Sequence, residues 1–291
     1  MKTIEISTPI VSCKDTLGES PLWDHRRNAL FWIDIENGLI HYYEPFNKDT
    51  ETYLVDEKVG CIAMHESGGF ILAAASGLSY WCPDSGCKKV FLPVKHSHKE
   101  SMFNDGKVDP LGRFWIGSKG PKGSSKLWMV QENKLIEKIS DLTISNGLDW
   151  SVDKGVFYHT DSGDNAIYRY DIDLQTTTLS NRQTFFRPKK GTPDGLTIDS
   201  DGNIWTAIWD GWQVLQLNPA GEVLSEISMP VQRPTSITFG GQDLRQLFIT
   251  SASEGLTESE RLEQPYAGDL FVIEPGVTGL NANLAADDKI N

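Results

Sequence analysis

Four oxygen-bearing side chains recur at one position of a repeated pattern: Glu19, Asp105, Asn146 and Asp194. Their segments align as Glu19-Ser-Pro-Leu-Trp-Asp, Asp105-Gly-Lys-Val-Asp-Pro, Asn146-Gly-Leu-Asp-Trp-Ser and Asp194-Gly-Leu-Thr-Ile-Asp. Two further repeats place Cys61 and Thr235 there, in Cys61-Ile-Ala-Met-His-Glu and Thr235-Ser-Ile-Thr-Phe-Gly. Brought together, three carboxyls and an amide would crowd, and crowded carboxylates repel unless a divalent cation offsets them. An all-oxygen set suits calcium, magnesium or manganese, and zinc also accepts such ligands. Taken one at a time, Asn-Gly and Asp-Gly are ordinary turn formers. Their recurrence at one repeat position favours ligands, and Gly-Glu-Ser-Pro around Glu19 is no standard turn signature.

The elements that must position these residues follow from the repeat itself. Six segments share a turn residue followed by an aromatic-rich strand, beginning at Asn28, Gly69, Gly112, Gly155, Gly202 and Arg245. Successive starts lie roughly 40 to 47 residues apart, the length of one four-stranded propeller blade. Further strands follow, as in Gly38-Leu-Ile-His-Tyr-Tyr, Ala166-Ile-Tyr-Arg-Tyr-Asp and Gln213-Val-Leu-Gln-Leu-Asn-Pro. No long amphipathic helix and no low-complexity linker interrupts the pattern. The expected fold is all-β: a six-bladed β-propeller forming a single domain over residues 1–291, with a metal site in the central channel. The innermost strands line that channel, so equivalent positions of six blades converge on one axis. A strand around Thr3 to Ser12 is expected to complete the last blade and protect its edge. The polar stretch from about Gly276 is expected to fray.

Composition narrows the partners. The net charge of -13 disfavours nucleic acid, whose phosphates such a surface repels. The N-terminus lacks the apolar run of a signal peptide, and no segment approaches the ~18 apolar residues of a membrane span. A cytoplasmic protein with no membrane contact is expected, with Cys13, Cys61, Cys82 and Cys87 reduced. Cys82 and Cys87 flank a turn-like Pro-Asp-Ser-Gly and are close enough in sequence to meet. His96 and His98 read as exposed loop residues, while His159 suits either the channel or a hydrogen-bonded core. There is no Gly-rich phosphate loop and no Ser-centred nucleophile elbow.

The stretches LGESPLW at 17–23, FNDGKVDPLGRFWIG at 103–117, SNGLDWS at 145–151 and PDGLTID at 193–199 resemble the senescence-marker-protein/gluconolactonase family of regucalcin-like sugar lactonases. They span most of the chain in the family's order. The resemblance implies a six-bladed propeller and one divalent ion (calcium, zinc, manganese or magnesium) held by Glu19, Asn146 and Asp194. It also implies Asp194 as the catalytic acid/base and Asn104 as a substrate-binding or metal-proximal residue, where the repeat alignment points to Asp105. The implied reaction is hydrolysis of an aldonolactone to the sugar acid, with the cation polarising the carbonyl. Two departures fall among sugar-reading positions: Met102 stands where the family often has Arg, and Lys122 where some members have Glu. Lys119 and Lys122 suggest an anionic group on the sugar, against the alternative that both are solvated loop lysines. Two other functions remain open at this level: a phosphotriesterase-like hydrolase on the same scaffold, and a non-enzymatic metal-binding propeller.

Overall fold

The computed structural model describes residues 2–290 and forms a ring of six small sheets. The innermost strands are Gly18–Asp24, Val59–Met64, Met102–Val108, Ser145–Trp150, Thr192–Ile198 and Pro234–Gly240, in blades one to six. Each packs against the next, and the sixth returns to the first. Each is followed by an antiparallel second strand: Ala29–Asp34, Phe70–Ala74, Phe114–Lys119, Val156–Asp161, Ile204–Trp209 and Gln246–Ser251. These second strands are nearly all buried because they are covered on both faces by the neighbouring blades, which explains their continuous apolar and aromatic runs. The aromatic rings interleave between blades. Phe31 lies 4.5 Å from Phe70 across blades one and two, and Trp115 meets Trp150 and Phe157 across blades three and four. Burying each such side chain stabilises the fold by about 1.5–3 kcal/mol.

Blades one, three and five are pinned by a second device. The indole of Trp32 donates to Asp15 at 2.9 Å, that of Trp115 to Asp109 at 3.0 Å, and that of Trp205 to Asp199 at 2.9 Å. Each carboxylate has further partners: His41 on Asp15, Arg113 on Asp109, and Gln216 on Asp199. A buried carboxylate is costly unless so satisfied, and here each one ties a second strand to a loop.

Every inner strand carries an irregularity at the same level. In blade one Glu19 pairs with Ile33 and Leu22 with Phe31, so Ser20 and Pro21 face only one residue of the second strand. The same two-against-one count occurs at Asn104–Asp105, Asn146–Gly147, Asp194–Gly195 and Thr235–Ser236. Blade two has a smaller shift, at Gly60. These are β-bulges, which re-aim the side chains they carry. The Asn-Gly and Asp-Gly pairs are therefore strand residues rather than turns. Glycine follows because the inner strands press together: a Cβ on Gly147 would lie 2.3 Å from the backbone nitrogen of Leu196, and one on Gly195 2.1 Å from Ser236 Oγ.

Two expectations about the chain ends are corrected. The N-terminal strand Lys2–Glu5 pairs in parallel with Val223–Ser228, the outer strand of blade five, not with the last blade. The segment that follows reaches blade six through isolated bridges, Val11 to Leu270 and Leu17 to Ala252, rather than as a strand. That blade has three strands, the third being Phe271–Ile273. The stretch after Gly276 does not fray. It crosses the lower end of the ring, with bridges from Gly279 to Asp199 and Ala285 to His65, and Asn283 Nδ2 donating to Val108 O. Each contact satisfies backbone groups that free strand ends would otherwise expose. The helices Glu258–Glu263 and Asp287–Ile290 are short, and no helix among the described residues is long and apolar enough to cross a membrane.

The close strand contact gives a direct test. Gly147→Ala is expected to lower unfolding stability by about 1–3 kcal/mol or more, as overpacking against a backbone atom does. Urea titration would measure it, and a change under about 0.5 kcal/mol would contradict the stated approach of the two strands.

Candidate metal and substrate site

The bulges of blades three, four and five deliver Asn104, Asn146 and Asp194, and the residue just before the bulge of blade one delivers Glu19, to one cavity of about 370 Å³ at the upper end of the channel. Its remaining wall includes Leu17, Lys119, Ile144, Ser162, Thr192, Trp209, Asp210 and Glu254. All four side chains are buried. Asp105, their neighbour in sequence, points elsewhere. It lines a separate cavity of about 60 Å³ lower in the channel, beside Lys107, Ser20 and Ser236. A two-residue bulge places successive side chains at two depths, so Asn104, and not Asp105, lines the upper cavity. Cys61 and Thr235 hold the same repeat position but do not line the upper cavity. Cys61 is buried close to Gly106, and the Thr235 hydroxyl donates to Gly18 O at 2.5 Å.

Hydrogen bonds fix both amides. Asn104 Nδ2 donates to Ser145 O at 3.0 Å. Asn146 Nδ2 donates to Ser162 Oγ at 3.0 Å, and Ser162 Oγ donates onward to Pro193 O at 2.7 Å. With its nitrogen used, Asn146 is left with a buried Oδ1 that has no hydrogen-bond partner, and Asp194 Oδ1 is in the same state. Glu19 accepts a bond from the Ser20 backbone N–H at 3.0 Å.

The electrostatics follow from this crowding. Burial, then the charges of Asp194 and Asp105, push the Glu19 carboxyl well above its ordinary range, against the Ser20 N–H and Lys119. Burial and Asp105 raise Asp194 similarly, with Lys119 and the Asn146 amide opposing. Asp105 is pushed up to about 6, chiefly by desolvation, while Gly106 N–H and Lys107 hold it down. Two buried carboxylates and two unpartnered oxygens thus meet without enough positive charge. That donor set fits one divalent cation with oxygen preference. Among the described residues no three His, Cys, Asp or Glu side chains are grouped for a metal. The set here has only two carboxylates, with an amide as third member.

Other residues singled out in the sequence fall outside the cavity. His159 is fully buried in blade four, with Nε2 2.8 Å from Ser145 Oγ, so the core reading holds. Desolvation depresses it to about 3. His98 is exposed, but His96 is half-buried, edge-on to Phe103 at 4.8 Å. Lys122 is exposed and does not line the cavity, whereas Lys119 does. All four thiols are free, and Cys82 and Cys87 are cross-strand partners in an outer hairpin of blade two.

Two wall residues, Ser162 and Trp209, went unread in the sequence although the repeat marks them. With Lys119, they each stand two positions past the residue opposite the bulge, in blades three, four and five. Aligning the ends of the second strands as well as the starts of the inner ones would have found them. Asp210 and Glu254 lie in loops without such a register. Asp210 accepts from Arg233 Nε and Gln232 Nε2, both at 2.7 Å, and the Arg233 guanidinium stacks on Trp209 at 4.8 Å.

Comparison with known proteins comes to the same place. A family model described as the SMP-30/Gluconolactonase/LRE-like region matches residues 17–253. A 6-deoxy-6-sulfogluconolactonase of Pseudomonas putida is 37% identical over 276 residues, covering 93% of this chain and 95% of its own. Regucalcin of Homo sapiens is 34% identical over 280 residues, covering 90% and 92%. A solved calcium-binding protein, regucalcin, from Agrobacterium tumefaciens superposes with a TM-score of 0.93 at 23% identity, over 98% of this chain and 99% of that one, which establishes the shared six-bladed fold.

The depressed His159 has a measurable consequence. Unfolded, it titrates near 6.5; folded, near 3. Between those values the unfolded chain holds the extra proton, so this residue's contribution is lost as pH falls through that window. Melting temperature is expected to fall less steeply across it in His159→Gln than in wild type. Parallel curves would show that His159 does not set the acid limb.

Proposed function

Since the chain belongs to the SMP-30/gluconolactonase/LRE-like family, we propose that it opens a sugar lactone to the aldonic acid, using one divalent cation held by Glu19, Asn146 and Asp194. The observation that carries this reading is the meeting of two buried carboxylates with the orphaned Asn146 and Asp194 oxygens on the wall of a cavity of about 370 Å³. That volume suits a five- or six-carbon lactone, and the names of the relatives point to the same substrate class. When bound, the cation offsets the paired carboxylates and polarises the lactone carbonyl oxygen as negative charge develops on it.

The chain's own residues supply the rest. Asp194 takes the proton from a water as that water adds to the carbonyl carbon. The ring C–O bond then breaks, and Asp194 returns the proton to the departing ring oxygen, which leaves as a hydroxyl. Asn104, anchored on Ser145 O, has a fixed amide with which to orient the substrate. Trp209 offers an apolar surface to the C–H face of the sugar, and Asp210, held by Arg233 and Gln232, is an acceptor for hydroxyls. Calcium is the first ion to test, given the regucalcin relatives; zinc, manganese and magnesium follow.

Lactone hydrolysis followed by acid release is expected to stop on exhaustive chelation and to return with a single added divalent cation. Asp194→Ala is expected to lose activity by about 10²–10⁴-fold or more even at saturating metal, since it removes a ligand and the base together. Chelated enzyme working at the full rate would refute the metal, and near-wild-type turnover by the variant would refute the base.

A further inference from the structure

Lys119 is the exception among the lysines. Among the described residues, five lysines are half-buried: Lys107, Lys119, Lys126, Lys138 and Lys289. Four are bonded, Lys107 to Asp149, Lys126 to Glu137, Lys138 to Thr177 and Lys289 to Asp288. The Lys119 ammonium makes no hydrogen bond or close ion pair among the described residues, although the charges of Glu19 and Asp194 act on it. Removing an ammonium partly from water without a partner is unfavourable, so a cation kept in that state is held ready for an anion from outside.

Its surroundings give that anion a place. Lys119 ends the second strand of blade three, opposite Met102, and faces the upper cavity. Its charge is felt by Glu19 and Asp194, which places it at the edge of the carboxylate cluster. Were Glu19 and Asp194 to hold a divalent ion, their charge would be offset and that of Lys119 would be free to face a ligand in the cavity. Acidic groups line the other side. Glu254 follows the second strand of blade six, which lies opposite blade three in a ring of six, and Asp210, paired with Arg233, follows the second strand of blade five. The cavity therefore has a polarity across it. An electrically neutral lactone has nothing to place against Lys119, whereas one with an anionic substituent does. Hydroxyls then face the acidic side.

We propose that Lys119 is a specificity-determining residue that receives an anionic group carried on the exocyclic carbon of the lactone. This rests on the lactonase reading above and adds the class of substrate. The shared chemistry is a sulfonate, phosphate or carboxylate beside the lactone ring; no covalent step involves Lys119.

The test compares kcat/KM, with saturating divalent cation, for glucono-δ-lactone and its 6-sulfonate, 6-phosphate and 6-carboxylate counterparts. Wild type is expected to prefer at least one anionic lactone by about tenfold or more, and the largest ratio identifies the group. Lys119→Met, which keeps the length and removes the charge, is expected to cut that preference about tenfold or more, chiefly through KM. Lys119→Arg should restore most of it. Lys122→Ala, outside the cavity, should change it less than twofold. Turnover of the neutral lactone with no anionic preference, or an equal loss on both classes in Lys119→Met, overturns the role of Lys119 alone. No turnover of any lactone by wild type overturns the lactonase reading itself.

Discussion

A regular strand shows every second side chain to one face, so six inner strands would offer the channel one residue per blade at each level. The bulge breaks that limit. It inserts one extra residue in five of the inner strands at the same height, and sends neighbours in sequence to different depths. Asn104 reaches the upper cavity while Asp105 faces the lower one. Everything chemical about the channel depends on this one irregularity. It aims Asn146 and Asp194 into the cavity that Glu19 enters from just before its own bulge, and it imposes the glycines behind those two, because the strands must come close for the side chains to meet.

The outer parts of the blades keep that arrangement in place. Carboxylates forced together push apart, and flexible strands would yield to the push. Here the second strands are clamped between aromatic layers, and three of them are tied down by Trp–Asp hydrogen bonds. Burial, and after it the repulsion, therefore appear as raised proton affinity in Glu19 and Asp194 rather than as movement. A stiff scaffold converts unfavourable contacts into an appetite for positive charge.

The blade count was legible in the sequence because the aromatic strands recur with blade length. The repeat also put Glu19, Asp105, Asn146 and Asp194 at one position, whereas the bulges bring Asn104 rather than Asp105 to the upper cavity and leave Glu19 one residue ahead of its own bulge. Asn-Gly and Asp-Gly were ambiguous, since glycine serves turns and close approach equally well. What was hidden depended on neighbours distant in sequence. Lys119 and Lys122 look alike in the chain, and only the end of the Phe114–Lys119 strand separates one facing the cavity from one in solvent. The path of the N-terminal strand to blade five, and the docking of the tail, rest on backbone pairing that leaves no pattern in residue type.

The docked tail has a consequence for traffic. Ala282 and Asn283 line the lower cavity, and Asn283 is bonded to the inner strand of blade three. The channel is stoppered at that end, so the upper mouth serves as both entrance and exit. A molecule that has just been changed must leave before another can enter, and it leaves past the same side chains that admitted its precursor. If those side chains hold an anion, the departing acid carries one anion more than the molecule that arrived. Recognition and release are then opposing demands on a single opening.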